Sequence, residues 1–111
     1  MKSILPISLI AASLLAITNI VSAADGAALY ETNCTKCHGP DGKGTTKMGI
    51  KAGAKDLTDP AIQAEMTEEK VTKQIREGVK DGDKVKMKAF PDLSDDDVKA
   101  LVAYTLATFK K

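Results

Sequence analysis

Tryptophan is absent from this chain, and the other aromatics are scarce, with two tyrosines and two phenylalanines among 111 residues. A domain so poor in large core side chains often draws stability from a disulfide, a metal or a cofactor. Cysteine and histidine are nearly missing too. Two cysteines and one histidine occur, all inside Cys34-Thr35-Lys36-Cys37-His38. With no second cysteine or histidine cluster, the roughly four protein ligands of a structural zinc site cannot be assembled. Strand patterns are almost absent, so the βαβ surroundings of a thioredoxin-like thiol pair are missing. Net charge is small as well, +1, which argues against sequence-independent binding of nucleic acid.

The first 23 residues are short of charge: after Lys2 none appears until Asp25. A basic start, an apolar middle and the small residues Val21-Ser22-Ala23 form the pattern of a secretory signal cleaved after Ala23. The competing reading is an uncleaved anchor, since the uncharged run is long enough to span a bilayer; Pro6, Asn19 and the small residues before the cut favour cleavage. The expectation is therefore an exported, periplasmic protein, residues 24–111, that does not span the membrane. Without Lys2 the 16 basic side chains fall level with the 15 acidic ones.

What is present is helix punctuation. Asp25 can cap a helix through Gly26–Cys34, and Asp59 followed by Pro60 can open a short one to about Met66. Thr67 caps a third, on which Val71, Ile75 and Val79 form one stripe and Glu68 and Glu69 favour the start. Ser94 with Asp95, Asp96 and Asp97 opens the last, where Val98, Leu101, Val102, Thr105 and Phe109 recur at helical spacing. Between these lie two stretches expected as loops. One runs from His38 to Leu57 with five glycines; the other is Lys80–Asp92, with Gly82 and Pro91 as breakers.

The opening motif fits haem attachment best. Two thiols three residues apart can add to the two vinyl groups of one porphyrin, and the imidazole beside the second is delivered to the iron. Cys34 and Cys37 are thus the expected thioethers of one haem c, and His38 an axial ligand. The Asn33-Cys34-Thr35 acceptor pattern for glycosylation leaves no room for a glycan beside a porphyrin. With no other histidine, the sixth ligand falls to methionine or stays open or lysine-bound. Met66 reads as core and Met48 as loop packing. Met87, alone among Lys84, Lys86 and Lys88, has no helical face to serve and is the expected ligand.

The whole of residues 24–111 resembles the class I, small soluble c-type cytochromes of bacteria, on "GAALYETNCTKCHGPDGKG" and "MKAFPDLSDDDVKALVAYTL". In that family Met-x-Ala-Phe/Tyr before the last helix carries the axial methionine, which maps onto Met87. The resemblance implies an all-α fold of three to five helices around one covalently attached haem. Its first and last helices cross at close range, near Gly26 or a neighbouring alanine, Tyr30 and Tyr104. Lys88 stands where many relatives have proline, which implies a looser methionine loop. A propionate partner must replace the missing indole.

The expected function is a monomeric electron carrier, not an enzyme. His/Met ligation leaves no open coordination position, and a thioether favours ferrous iron. A loop carbonyl should hold the other ring nitrogen of His38. The lysine clusters, Lys36 to Lys55 and Lys84 to Lys88, would ring the haem edge and meet acidic patches on redox proteins. The alternatives are a ligand-binding or catalytic haem protein with a displaceable sixth ligand, and a dedicated subunit of a larger redox complex.

Overall fold

The computed structural model describes residues 25–111, so the proposed leader lies outside the described part. Six helical segments occur there: α1 (Gly26–Asn33), α2 (Thr35–His38), α3 (Lys47–Ala52), α4 (Pro60–Gln63), α5 (Glu68–Glu77) and α6 (Asp95–Phe109). Two strands, β1 (Val79–Asp81) and β2 (Lys84–Met87), form an antiparallel hairpin between α5 and α6. None of these helices is long and apolar enough to cross a membrane.

The long helices begin where their caps put them. The Asp25 carboxylate accepts from the amides of Ala27 and Ala28, Thr67 Oγ1 from Lys70, and Ser94 Oγ from Asp97. Each satisfies amides that the first turn leaves without a partner. In α6, Val98, Leu101, Val102, Thr105 and Phe109 are all buried. Leu101 has no exposed surface, a burial that contributes about 2 kcal/mol. Val71 and Ile75 of α5, with Met66, complete the core.

α1 crosses α6 where α1 has no side chain. A Cβ on Gly26 would strike the carbonyl oxygen of Ala100 and lie 2.7 Å from Cβ of Tyr104. Only hydrogen fits there, so the backbones meet directly. Beside the crossing, Tyr30 stacks against Tyr104 and Phe109, with ring centroids 5.5 and 5.2 Å away.

Three boundaries depart from the sequence reading. The glycine-rich stretch after His38 contains α3, begun by Thr46, whose hydroxyl accepts from the Gly49 amide, and ended by left-handed Gly53. α4 stops at Gln63 rather than Met66, because the next amides turn back three residues, Glu65 to Ile62 and Met66 to Gln63. Finally, the second expected loop is a hairpin, so the fold is mainly helical (54% helix) but carries a small sheet and more helical segments than three to five. Asp81 and Lys84 close a two-residue turn. Gly82 there has φ 59°, the positive value a type II′ turn places at its first central residue. Val79 consequently leaves the α5 stripe for β1, and the helix ends at Gly78.

Candidate functional site

α2, the turn after α3, α5, β2 and α6 enclose a cavity of about 380 Å³, within the size range of small-molecule and cofactor sites. Cys34, Cys37, His38 and Met87 all line it, although 49 residues separate the last two. Val71, Ile75, Phe90 and Leu101 supply apolar wall. A flat apolar group with two thiol-reactive positions and a metal needing nitrogen and sulfur donors fits this lining. The expected ligands are thus brought together in one place.

Three contacts hold His38. Its Nδ1 lies 3.1 Å from the carbonyl oxygen of Lys55. A carbonyl can only accept, so Nδ1 carries the proton and Nε2 keeps its lone pair. Burial lowers the pKa of His38, partly opposed by that hydrogen bond, which keeps the ring neutral and ligand-competent at neutral pH. The residue after it is anchored from below, where the buried Tyr30 hydroxyl donates to the Gly39 carbonyl at 2.7 Å. Burial, then neighbouring Cys34, pushes the Tyr30 pKa far above its ordinary value, so the hydroxyl keeps its proton.

The third contact is the packing of α3 on α2. Gly49 lies so close to the Cys37 carbonyl that an added Cβ would overlap its oxygen. Thr46 Oγ1 reinforces the approach by donating to the Lys36 and Cys37 carbonyls at 2.6 and 3.0 Å. Burial and the neighbouring Cys37 push the Cys34 thiol up to about 11. Redox-active thiols are depressed instead, so Cys34 does not have the character of a thiol switch.

Met87 arrives by another route. It is the last residue of β2, pairs with Val79 and is half-buried. Val85 and Met87 oppose the adjacent residues Lys80 and Val79, so Lys86 is the extra residue of a β-bulge. Beyond Met87 the chain is pinned by the Phe90 amide, which donates to the Ile75 carbonyl at 2.8 Å. Lys88 lies over the Phe90 ring, 5.5 Å from its centroid. Despite Lys88 in place of proline, a ladder and a loop-to-helix hydrogen bond hold this segment.

Met48 and Met66 also line the cavity. Met66 is buried in the core, as its pattern indicated, whereas Met48 sits on α3 with 57% of its surface exposed. Among the lysines, Lys36, Lys55, Lys86 and Lys88 reach the cavity; Lys55 and Lys86 are 3.8 Å from carboxylates of Glu65 and Asp81.

The loop carbonyl expected on the His38 ring is that of Lys55, whose identity carries no side-chain signal; sequence reasoning missed two further contributors. Gly49 looked like one glycine among five. Gln63 is buried and donates to the carbonyls of Leu57 (3.2 Å) and Phe109 while accepting from the Lys111 amide, which ties α4 to the end of α6.

The family described as "Cytochrome C oxidase, cbb3-type, subunit III" matches residues 21–104. Among solved structures, the "KustC0563 c-type cytochrome" is 36% identical, with TM-score 0.66, covering 78% of this chain and 99% of that one. A point mutant of Kustc0563 gives 33% identity, TM-score 0.63 and the same coverage. No curated protein matches the chain.

Proposed function

This chain belongs to the family of cbb3-type cytochrome c oxidase subunit III and is a c-type cytochrome; from that premise we propose that it is a soluble monohaem electron carrier of the class I kind. Cys34 and Cys37 would hold one haem c through thioethers, and His38 and Met87 would supply nitrogen and sulfur to its iron. The observation that carries this reading is the convergence of those four side chains on one cavity, with His38 Nδ1 already engaged by Lys55.

A haem bound there supplies one reversible electron at iron. The chain does the rest. The Lys55 carbonyl fixes the tautomer of His38 and, with Tyr30 holding the Gly39 carbonyl, limits reorientation of the ring. The hairpin and the Phe90–Ile75 hydrogen bond do the same for Met87. The apolar wall disfavours extra charge on ferric iron and so raises the potential. His38 and Met87 together would leave the iron no position for a substrate, which supports electron transfer rather than catalysis. The apolar leader and its small-residue end support export to the periplasm with cleavage after Ala23.

The test is the absorption spectrum of Met87→Ala, read with and without carbon monoxide on the reduced protein. The parent protein should be low-spin and refuse carbon monoxide at neutral pH, whereas the variant should turn high-spin and bind it. An unchanged low-spin variant would remove Met87 from the iron. Rapid binding by the parent protein would favour the ligand-binding alternative. A second reading, a dedicated subunit of a larger redox complex, draws on the family match itself; stable co-purification with other redox subunits would establish it.

A further inference from the structure

Among the described residues one amide side chain is buried, that of Gln63, the last residue of α4, with 8% of its surface exposed. A carboxamide is tolerated inside a protein when its hydrogen bonds are made there, and those of Gln63 all go to backbone. Nε2 donates to the carbonyls of Leu57 and Phe109, and Oε1 accepts from the Lys111 amide at 3.2 Å. The carbonyls can only accept and the amide can only donate, so the partners fix which way the carboxamide points. Gln63 is not part of the cavity wall, so whatever it does for the site it does through other residues.

Both carbonyls lead to His38. Leu57 follows two residues after Lys55, whose carbonyl takes the Nδ1 proton. The Leu57 amide donates to the Gly42 carbonyl at 2.7 Å, so the segment 55–57 is held between Gly42 and Gln63. Phe109, on the other branch, packs against Tyr30 with ring centroids 5.2 Å apart, and Tyr30 holds Gly39. The branches also meet, since a Cβ on Gly42 would lie 2.7 Å from the Phe109 ring. The turn after α4 grips the same segment again: Glu65 Oε2 lies 3.8 Å from the Lys55 ammonium. That pair is exposed and correspondingly weak.

We propose that Gln63 is a positioning residue for His38: it holds the segment that presents the Lys55 carbonyl to Nδ1 and so sets the strength of that hydrogen bond. The inference rests on the electron-carrier reading above and adds a residue that tunes the carrier from outside its cavity. A carbonyl held firmly on Nδ1–H makes the imidazole a more basic ligand, and a more basic ligand favours ferric iron. Releasing the segment weakens the bond and raises the potential. A Gln63 that merely tied α4 to the end of α6 would change stability and leave the ring alone.

The test is NMR of the reduced holoprotein, following exchange of the His38 Nδ1 proton with solvent, together with the midpoint potential. Gln63→Met keeps the length of the side chain and removes its donors. The proton should then exchange about tenfold faster, the effect of taking one hydrogen bond from a local opening, and the potential should rise. Glu65→Gln removes only the exposed grip and should speed exchange about threefold, which leaves a readable variant if Gln63→Met does not fold. Thr67→Ala removes the α5 cap and lowers stability by a comparable amount away from the segment, so both readouts should stay near the parent values. Unchanged exchange in Gln63→Met overturns the proposal, as does unchanged exchange in Glu65→Gln where Gln63→Met does not fold. Faster exchange without a higher potential in Gln63→Met overturns it too, and so does a Thr67→Ala protein that exchanges as fast as Gln63→Met. A reversible one-electron couple in the parent protein alongside any of these failures leaves the carrier standing, and absence of that couple removes the carrier itself.

Discussion

On the His38 side of the cavity, backbone meets backbone. α3 rests on the Cys37 carbonyl through Gly49, Thr46 clamps two carbonyls of α2, and Tyr30 holds Gly39 from the core. On the Met87 side a short, exposed hairpin with one bulge projects the methionine, and its fastenings are one ladder, the Phe90 amide and surface lysine contacts. The first wall cannot shift without breaking buried contacts; the second can flex at its tip and leave the core untouched. A redox site needs fixed ligands and also an accessible edge for a partner. The division of labour between the walls supplies both.

The contrast breaks most sharply at Gly49. Gly49→Val would drive its Cβ into the Cys37 and Gly44 carbonyl oxygens, and backbone on both sides cannot yield as a side-chain end would. The expected loss is about 3 kcal/mol, read from urea unfolding of the holoprotein. A loss below about 1 kcal/mol would mean that α3 can lift off α2 and that the His38 wall is no stiffer than the hairpin.

How much of each wall was legible follows from the same physics. The caps Asp25, Thr67 and Ser94 and the α6 stripe could be read because side chains create them. The same holds for the Cys34-Cys37-His38 motif; Met87, expected as the sixth ligand, lines the cavity together with Met48 and Met66. α3 escaped notice because it is short, and a glycine at its centre resembles a breaker; only the fold reveals that this glycine is a contact. The hairpin had a signal, Asp81-Gly82 between Lys80 and the alternating Lys84-Val85-Lys86-Met87. Lysine-rich alternation offers no apolar face to mark a strand, so the stretch reads as loop. A loop carbonyl on His38 could be expected, but not that it is Lys55's, as any residue brings one.

Tyr30→Phe probes the His38 wall more gently. The ring keeps its packing against Tyr104 and Phe109, but the Gly39 carbonyl loses its buried donor. The Gly42 amide still donates to that carbonyl at 3.2 Å, so one buried hydrogen bond is lost rather than the acceptor's whole satisfaction, and about 1.5 kcal/mol is expected in the same unfolding assay. If the change is near zero, the backbone hydrogen bonds of Gly39 to Thr35 and from Gly42 anchor the residue after His38 without the tyrosine.

Gly82→Ala is the matching test on the other wall and should have the smallest effect. Nothing lies within 4 Å of a Cβ at this position, so no steric term arises. What remains is the backbone: φ is 59°, a region that costs an alanine about 1 kcal/mol. Because the turn is remote from the core, that loss should appear in stability while the absorption spectrum stays that of the parent. A Gly82→Ala protein whose spectrum changes would show that strain at the tip travels down β2 to Met87, and the two walls would then be coupled rather than independent.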